Sequence, residues 1–333
     1  MRRVLVTGFV PFGGHEVNPS QLVAHALAGR HRLIDPEGLE EALDVEVHVE
    51  ILSVDEEGAS YVAKEMERGH RWDAVLHVGL CASCEHARVE RIGRDAFAMR
   101  MADNSGRCIE AGPITGSGDL RASLQPEGLD LARCDVEAKW SEDAGGYVCN
   151  ETLHRTLSAA QQAQVPVTFL HVPSLERWPL ERSLSLATDL LGHLLFPPVI
   201  DVAAGALFVE GRLLVGRRSS SEAAAGLWEL PGGKLEAGES VNQAVVREWR
   251  EELGLEVKAG KVHGHWWGRT AVARYRINVI EVEVVTEAMD FQSSVHDVLR
   301  WIGTDVDLDA YAWLGPDRQV VASLLGLASS SVP

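Results

Sequence analysis

The sequence has 333 residues, a formal net charge of −18 and a pI near 5.1. With 46% hydrophobic and 24% charged residues, it has the composition of a soluble globular protein, and its length is sufficient for two domains. The negative charge argues against binding to nucleic-acid polymers or anionic membranes, because both carry charge of the same sign.

We expect no targeting or membrane segment. The apolar run Val4–Val6 stops at Thr7-Gly8, which is too early for a signal peptide. No stretch approaches the ~18 to 20 apolar residues that span a bilayer. The five cysteines are sparse and odd in number, which predicts reduced thiols in a cytoplasmic protein.

The first part of the chain alternates short apolar runs with stretches of helical spacing. Arg3–Val6, Ala74–Val78 and Val167–Val172 are expected to be strands. Gln21–Leu27 and Ala59–Arg68 have the spacing of helices. This alternation predicts a doubly wound α/β/α fold with a mostly parallel sheet, whose functional residues gather where the strands end.

Two prolines after Phe196 break this pattern, and a new unit begins beyond them. Ala203–Val209 and Arg212–Arg218 alternate across a Glu-Gly turn and are expected to form a hairpin. We therefore place one domain at residues 1–196 and a second at residues 199–333.

The most specific signal is a predicted helix between Ser240 and Gly254. Glu248, Glu251 and Glu252 stand at i, i+3 and i+4, so they share one face of that helix. Crowded carboxylates raise one another's pKa unless a cation neutralises them, and Mg²⁺ prefers oxygen ligands. Such a site can bind a diphosphate and activate water. The alternative is a solvated acidic helix face.

The spacing of Gly233, Glu239, Arg247-Glu248 and Glu251-Glu252 resembles the Nudix box. The resemblance covers about residues 199 to 330 and implies an α/β/α sandwich with a mixed sheet. It also implies a pyrophosphohydrolase that converts nucleoside triphosphates to monophosphate and pyrophosphate with Mg²⁺, Mn²⁺ being an alternative. The implied roles are metal binding by Glu248, Glu251, Glu252 and the Gly232 carbonyl, an orienting Glu239–Arg247 pair, phosphate contact by Arg218, and recognition of a base edge by Asp317.

Two positions near the end of this region leave alternatives open. Val295 stands where the resembled segment has a glutamate, so either Asp297 compensates or Glu251 alone is the catalytic base. At Asp317 the alternative is an exposed helix-start residue. A carboxylate there suits a cytosine amino group or a guanine edge, and oxidised dGTP and cytidine nucleotides both remain candidate substrates.

A second group of residues suits nucleophilic catalysis. Cys149 precedes the helical stretch Thr152–Ala160, where a helix N-terminus favours a thiolate and offers N–H groups for an oxyanion. His171 ends a predicted strand and can deprotonate the thiol, while Glu90 can orient the imidazole. Together they predict a Cys-His-Glu triad. Taken singly, each has a structural alternative as a core or surface residue.

The order of several segments resembles pyroglutamyl peptidase I over about residues 1 to 195. These segments are Thr7–Gly14, Asn18–Ser20, Glu90-Arg91, Asp103–Gly106, Gly112–Ile114, Val148–Asn150 and His171–Pro173. The resemblance implies a cysteine peptidase that removes N-terminal pyroglutamate from small peptides. It further implies that Phe9 and Phe12 sandwich the substrate ring, with core packing as the alternative.

The loop Leu80–His86 departs from that family's glycine-rich loop. The alternative function is therefore a Nudix hydrolase whose N-terminal domain is a non-catalytic binding or regulatory module. Cys81 and Cys84 have no second cysteine pair nearby, so a zinc site is not expected. Our overall expectation is a cytoplasmic bifunctional hydrolase. The resemblance also implies a homo-oligomer, although no interface can be named from the sequence.

Overall fold

The structure, a computed structural model, describes residues 1–327 except positions 15, 41, 127–128, 130, 135, 237, 271–272 and 286–290. The chain forms two compact units, Met1–Pro197 and Pro198–Pro333. No helix in the described part of the chain combines the length and the apolar content needed to cross a bilayer.

The strands of the first unit are β1 Arg2–Phe9, β2 Gly29–Leu33, β3 Leu43–Leu52, β4 Ala74–Leu80, β5 Ala87–Glu90, β6 Ile92–Gly93, β7 Leu120–Arg121, β8 Ala138–Ser141 and β9 Val167–Val172. Seven of them form one sheet with the order β2-β3-β1-β4-β9-β5-β8, and β6 and β7 form a separate two-stranded sheet. Its helices are α1 Pro19–Ala26, α2 Glu56–Glu67, α3 Val148–Ala163 and α4 Leu180–Leu195, with a 3₁₀ turn at Leu131–Arg133. The predicted strands and helices of this region all lie within or overlap these elements.

The four central strands β3, β1, β4 and β9 are parallel. β2 pairs antiparallel with β3, and β5 pairs antiparallel with β9 but parallel with β8. Alternation along β1 sends Val4 to one face and Leu5 to the other. Val4 packs in the cluster that holds α1 and α4, and Leu5 in the cluster that holds α2 and α3. Helices therefore cover both faces, and the predicted α/β/α fold with a mostly parallel sheet is confirmed.

A buried histidine ties three elements of this unit together. His77 on β4 is fully buried, and its two ring nitrogens lie 2.8 Å from Thr7 Oγ1 on β1 and 3.1 Å from Thr156 Oγ1 on α3. Burial lowers the pKa of His77 to about 3, so the imidazole is neutral at physiological pH. The three side chains therefore pair their hydrogen-bonding groups with one another, and none of them carries a charge.

The second unit carries two sheets. Its strands are β10 Val199–Ala206, β11 Phe208–Val209, β12 Arg212–Arg218, β13 Trp228–Glu229, β14 Gly232–Lys234, β15 Val257–Arg269, β16 Arg274–Val284 and β17 His296–Ile302. Its helices are α5 Val241–Leu253 and α6 Asp317–Leu324, with a 3₁₀ turn at Leu308–Ala310. One sheet has the order β14-β10-β16-β15, and the other places β12 between β11, β13 and β17.

The mixed sheets lie between α5 and α6, as expected for the predicted sandwich. Only β10 and β16 pair in parallel among the described strands of this unit. Trp249 of α5 packs on one side, and Gly205 of β10 makes room for it, because a Cβ there would lie 2.1 Å from the indole nitrogen. Val320 and Val321 of α6 pack in the cluster on the other side. The predicted fold class is confirmed.

The predicted hairpin is only partly as expected. The strand that leads into the turn divides in two, because β10 ends at Ala206 and pairs with β14 and β16, whereas β11 pairs with β12. The predicted helix is α5, which begins after Ser240 and ends at Gly254. Ser240 caps it in a reciprocal capping box with Gln243, and Gly254 takes a left-handed conformation.

Candidate active sites

Three elements of the first unit bring Cys149, His171 and Glu90 together. Cys149 is the second residue of α3, His171 is the penultimate residue of β9, and Glu90 is the last residue of β5. Glu90 Oε1 accepts a hydrogen bond of 2.8 Å from His171 Nδ1, and the Cys149 side chain is close enough to His171 to raise the pKa of the imidazole. The sequence placed Cys149 at a helix start and His171 at a strand end, and the fold brings both to Glu90.

The electrostatics of this group favour a charged imidazole. Burial lowers the pKa of His171, but the interactions of the imidazole with Cys149 and Glu90 outweigh burial and raise that pKa to about 9. Glu90 is fully buried, and within the described residues its Oε2 accepts no hydrogen bond. A buried carboxylate without further donors is stabilised by an adjacent positive charge. The arrangement can therefore hold an imidazolium beside a thiolate.

The start of α3 is free to stabilise an anion. Tyr147 precedes the helix and makes no side-chain capping bond, so the first N–H groups receive no capping side chain there. Gly79 of β4 lies against the sulfur, since a Cβ on Gly79 would be 3.2 Å from Cys149 Sγ and 2.7 Å from Phe169 Cζ. Only a residue without a side chain fits between β9 and the thiol.

Phe9 and Phe12 belong to the apolar cluster that also contacts Cys149. Phe9 is almost fully buried and packs against Phe169 with ring centroids 6.3 Å apart. Phe12 is half-buried, and its ring centroid is 6.4 Å from that of Tyr147. Phe12 therefore offers an accessible aromatic face, whereas Phe9 is largely a core residue.

An ionic network near Cys149 was not anticipated from the sequence. Arg107 donates to Asp103 Oδ2 (2.8 Å) and to Glu151 Oε2 (2.6 Å), and Arg155 donates to Glu151 Oε1 (3.0 Å). Glu151 lies two residues after Cys149, so this network anchors the first turn of α3. The Asp103–Arg107 spacing was a readable signal, but Glu151 is too distant in sequence to be paired with it.

The loop between β4 and β5 carries a correction. Five reduced thiols were expected, but Cys81 and Cys84 form a disulfide with Cα atoms 5.4 Å apart. The tight turn between them, closed by a hydrogen bond from Cys84 N to Cys81 O, brings the two side chains within bonding range. The prediction of reduced thiols rested on the number of cysteines and did not consider the short spacing of Cys81 and Cys84.

In the second unit, α5 presents the three glutamates beside the turn at Gly232. Glu252 Oε2 accepts a hydrogen bond from Gly232 N (3.2 Å), and a Cβ on Gly233 would lie 2.3 Å from the Glu248 carboxylate. Glu251 is mostly exposed. Burial, with the nearby charges of Glu229 and Glu248, raises the pKa of Glu252 to about 8.

Arg247 supplies the counter-charge in this conformation. It donates to Glu239 Oε1 and Oε2 (both 2.9 Å), to the Lys234 carbonyl (3.0 Å), to Glu248 (2.8 Å) and to Glu251 (3.3 Å). Glu248 and Glu251 thus turn towards Arg247, and no three acidic, histidine or cysteine side chains of the described residues converge as a metal cage. The donor set itself fits a hard divalent cation, because a buried carboxylate with a raised pKa lies among other oxygen ligands.

A buried group beside Glu252 was also missed. Glu229 accepts hydrogen bonds from Arg218 (2.8 and 3.0 Å) and from His296 Nε2 (3.0 Å), and both Glu229 and His296 are buried. Arg218 thus lies at the site, but is held by Glu229. His296 is 67 positions from Glu229, and the burial of a charged residue cannot be recognised from local spacing.

The two later acidic residues lie in different surroundings. Asp317 is buried and accepts a hydrogen bond from Leu230 N (3.2 Å), so it is not the exposed helix-start residue that was the alternative. Burial raises the pKa of Asp317 to about 8, with Glu229 adding to the effect. Asp297 instead pairs with Arg217 (2.8 Å) at the surface. The structure therefore does not bring Asp297 to the glutamates.

Comparisons with known proteins match both units. A model of the family described as pyroglutamyl peptidase matches residues 2–183, and a model of the NUDIX domain matches residues 199–318. The first region is similar to the pyrrolidone-carboxylate peptidase of Pyrococcus furiosus, with 30% identity over 177 residues, 51% of this chain and 80% of the relative. A solved structure of a mutant pyrrolidone carboxyl peptidase from the same organism has a TM-score of 0.50 at 26% identity, over 58% of this chain and 98% of that one.

The second region is similar to proteins that act on nucleotides. A putative 8-oxo-dGTP diphosphatase 2 of Mycobacterium tuberculosis is 36% identical over 129 residues, which is 37% of this chain and 86% of the relative. A CTP pyrophosphohydrolase of Escherichia coli is 46% identical over 63 residues, 19% of this chain and 47% of the relative. NUDIX domains generally use a divalent cation. The chain therefore belongs to the pyroglutamyl peptidase family over residues 2–183 and to the NUDIX family over residues 199–318, and it joins a cysteine peptidase domain to a NUDIX hydrolase domain.

Proposed function

We propose that the chain is a cytoplasmic bifunctional hydrolase with two separately acting domains, residues 1–196 and 199–333. The first removes N-terminal pyroglutamate from small peptides through Cys149, His171 and Glu90. The second hydrolyses a nucleoside triphosphate to monophosphate and pyrophosphate. The observation that carries the first activity is the hydrogen bond between His171 and buried Glu90, with Cys149 interacting with the same imidazole.

In the proposed peptidase reaction, the Cys149 thiolate attacks the carbonyl carbon of the bond that follows pyroglutamate. The N–H groups at the start of α3 stabilise the oxyanion, and Phe12 provides a flat wall for the uncharged ring, with Phe9 behind the pocket. His171 then gives its proton to the leaving amine, which leaves a thioester on Cys149. His171 takes a proton from water as the water attacks that thioester, and the thiolate is released. Glu90 orients the imidazole throughout.

In the proposed NUDIX reaction, Glu248, Glu251, Glu252 and the Gly232 carbonyl would hold Mg²⁺, or Mn²⁺ as an alternative. When bound, the cation supplies positive charge that neutralises phosphate oxygens and lowers the pKa of water. Arg247 holds Glu239 and the Lys234 carbonyl, and so fixes the loop against α5.

The remaining residues of the proposed NUDIX site act on the substrate itself. Glu251, the most exposed of the three glutamates, is the general base, and Arg218 binds substrate phosphate. Asp317 reads the base edge. Because its pKa is about 8, it can donate a hydrogen bond at neutral pH. Oxidised dGTP and cytidine triphosphate are the two substrates we would test first.

Two variants of the full chain, one in each proposed active site, are each assayed for both activities. Fluorophore release from a pyroglutamyl amide is expected to be lost in Cys149→Ala and kept in Glu252→Gln. Pyrophosphate release is expected to show the reverse pattern, so each variant controls for the folding of the other. Equal fluorophore release by wild type and Cys149→Ala would refute the proposed triad.

A second candidate function rests on the altered loop Leu80–His86, which lies at the edge of the peptidase site. In that case the first domain binds a peptide or regulates the second domain without catalysis. Absence of fluorophore release from wild-type protein that still releases pyrophosphate would favour this candidate.

A further inference from the structure

The Cys81–Cys84 disulfide closes a loop that passes over the end of the strand that carries His171. In the sheet, β9 lies between β4 and β5. β4 runs parallel to β9, with Leu80 beside Val172, whereas β5 runs antiparallel, with Arg88 beside His171. The chain leaves β4 at Leu80 and enters β5 at Ala87. It must therefore cross the carboxyl end of β9 between these points.

This loop is bonded next to His171 and joins the two strands that flank the Cys149, His171 and Glu90 group. Cys81 N donates to the Val172 carbonyl (2.9 Å), one residue after His171. At one end, Gly79 lies against Cys149 Sγ. At the other end, β5 carries Glu90 only six residues after Cys84. The disulfide thus constrains the connection between the strand that supports the nucleophile and the strand that supplies the carboxylate.

The two sulfurs differ in accessibility. Cys81 is half-buried, with the exposed Ala82 and Ser83 beside it, whereas Cys84 is only 3% exposed. An external thiolate therefore reaches Cys81, while Cys84 is the leaving sulfur. The cytoplasmic location proposed above provides small thiols, so a disulfide at such a place is exposed to reduction.

We propose that Cys81 and Cys84 form a reversible thiol–disulfide site that sets the activity of the peptidase domain, with the disulfide form the more active one. A thiolate of a small dithiol attacks Cys81, forms a mixed disulfide and releases the Cys84 thiolate, which takes a proton. The second thiol of the dithiol displaces Cys81, so two electrons and two protons pass to the pair and the reagent becomes a cyclic disulfide. Reduction releases the loop, and Glu90 and His171 lose part of their common support. The inference rests on the proposed peptidase function.

The test compares the full-length wild type with Cys81→Ser/Cys84→Ser, each with and without dithiothreitol. The double variant corrects for reductive activation of Cys149 itself. Relative to that variant, reduction is expected to lower kcat/KM for a pyroglutamyl amide by about tenfold, the scale of a small misplacement of catalytic groups. Alkylation and mass spectrometry should show the peptide with Cys81 and Cys84 blocked only after reduction. All five cysteines lie in the first unit, so pyrophosphate release is expected to be unchanged.

Three outcomes would overturn the proposal. Dithiothreitol could change both proteins by the same factor, both cysteines could be alkylated in protein isolated without reductant, or pyrophosphate release could fall in parallel. If wild type cleaves the amide in neither state, the proposed peptidase function fails. Amide hydrogen exchange then tests the proposed redox control of the loop separately. Faster exchange at Cys81–Glu90 in the reduced form would support it, and equal exchange in both forms would refute it.

Discussion

Gly79 lies directly beside His171 where β4 pairs with β9, and its missing side chain leaves room for the Phe169 ring and for the Cys149 sulfur, which would lie 2.7 and 3.2 Å from a Cβ there. We predict that Gly79→Ala lowers pyroglutamyl amide cleavage by about tenfold or more, since the added methyl group must displace Phe169 or the thiol. Steady-state kinetics would measure this, with pyrophosphate release from the same protein as the control. Unchanged kcat/KM would mean that the sulfur is not held against β4.

The hydrogen bond between Glu90 and His171 leads to a second prediction. Glu90→Gln keeps the size of the side chain but removes the charge that favours the imidazolium. We expect kcat for the amide to fall by roughly 10² to 10⁴, the range for loss of the orienting carboxylate in a triad. The melting temperature of Glu90→Gln should be recorded to separate loss of catalysis from loss of stability. Glu151→Gln is not a suitable control, because Glu151 anchors the start of α3. A kcat within threefold of wild type would exclude this role.

The protonation of His171 gives a third prediction. Its pKa of about 9 lies above the ordinary 6.5, so this group contributes stability that is complete below about pH 6.5 and is lost as the pH rises through about 9. NMR of labelled histidine should show His171 titrating near 9 in wild type and lower in Cys149→Ala, because contact with Cys149 contributes to the rise. The same titration in both proteins would contradict a thiolate–imidazolium pair.

Binding of the divalent cation should release a proton. Below about pH 8 Glu252 is protonated in the metal-free protein, and a metal ligand must be ionised. Apparent Mg²⁺ affinity is therefore expected to rise with pH up to about 8, by at most about tenfold per pH unit for one proton, and then to level off. Calorimetry in buffers of different ionisation enthalpy counts the protons. Glu252→Gln should release none from this position, and zero release from wild type near pH 6.5 would contradict the prediction.

Much of the architecture was predictable because its signals are local. The strand at Ala74–Val78 follows from a run of apolar residues, and the helix between Ser240 and Gly254 follows from its spacing and its capping residues. Periodicity and capping rules were therefore sufficient to predict these elements. The sheet order was not predictable, and it is the order β4-β9-β5 that brings Glu90 to His171 from 81 positions away.

The residues that sequence analysis missed are charged groups with distant partners. Glu229 and His296 are separated by 67 positions and become a pair only when β12 lies between β13 and β17. Asp317 could not be assigned to the surface or the interior because a helix-start aspartate suits both. Its burial comes from the contact with Leu230, on a segment far upstream.

The Thr7–His77–Thr156 bridge sets an acid limit on the first unit. An imidazole that ionises near 3 inside the protein but near 6.5 in the unfolded chain favours unfolding progressively as the pH falls between these values. Its contribution is complete above about pH 6.5 and declines by at most about 1.4 kcal/mol per pH unit below it. Exposure to mild acid, for example during elution, would thus favour protonation of His77. The buried positive charge would destabilise the packing between β1, β4 and α3. A neutral pH therefore preserves the first unit for a reason unrelated to Cys149.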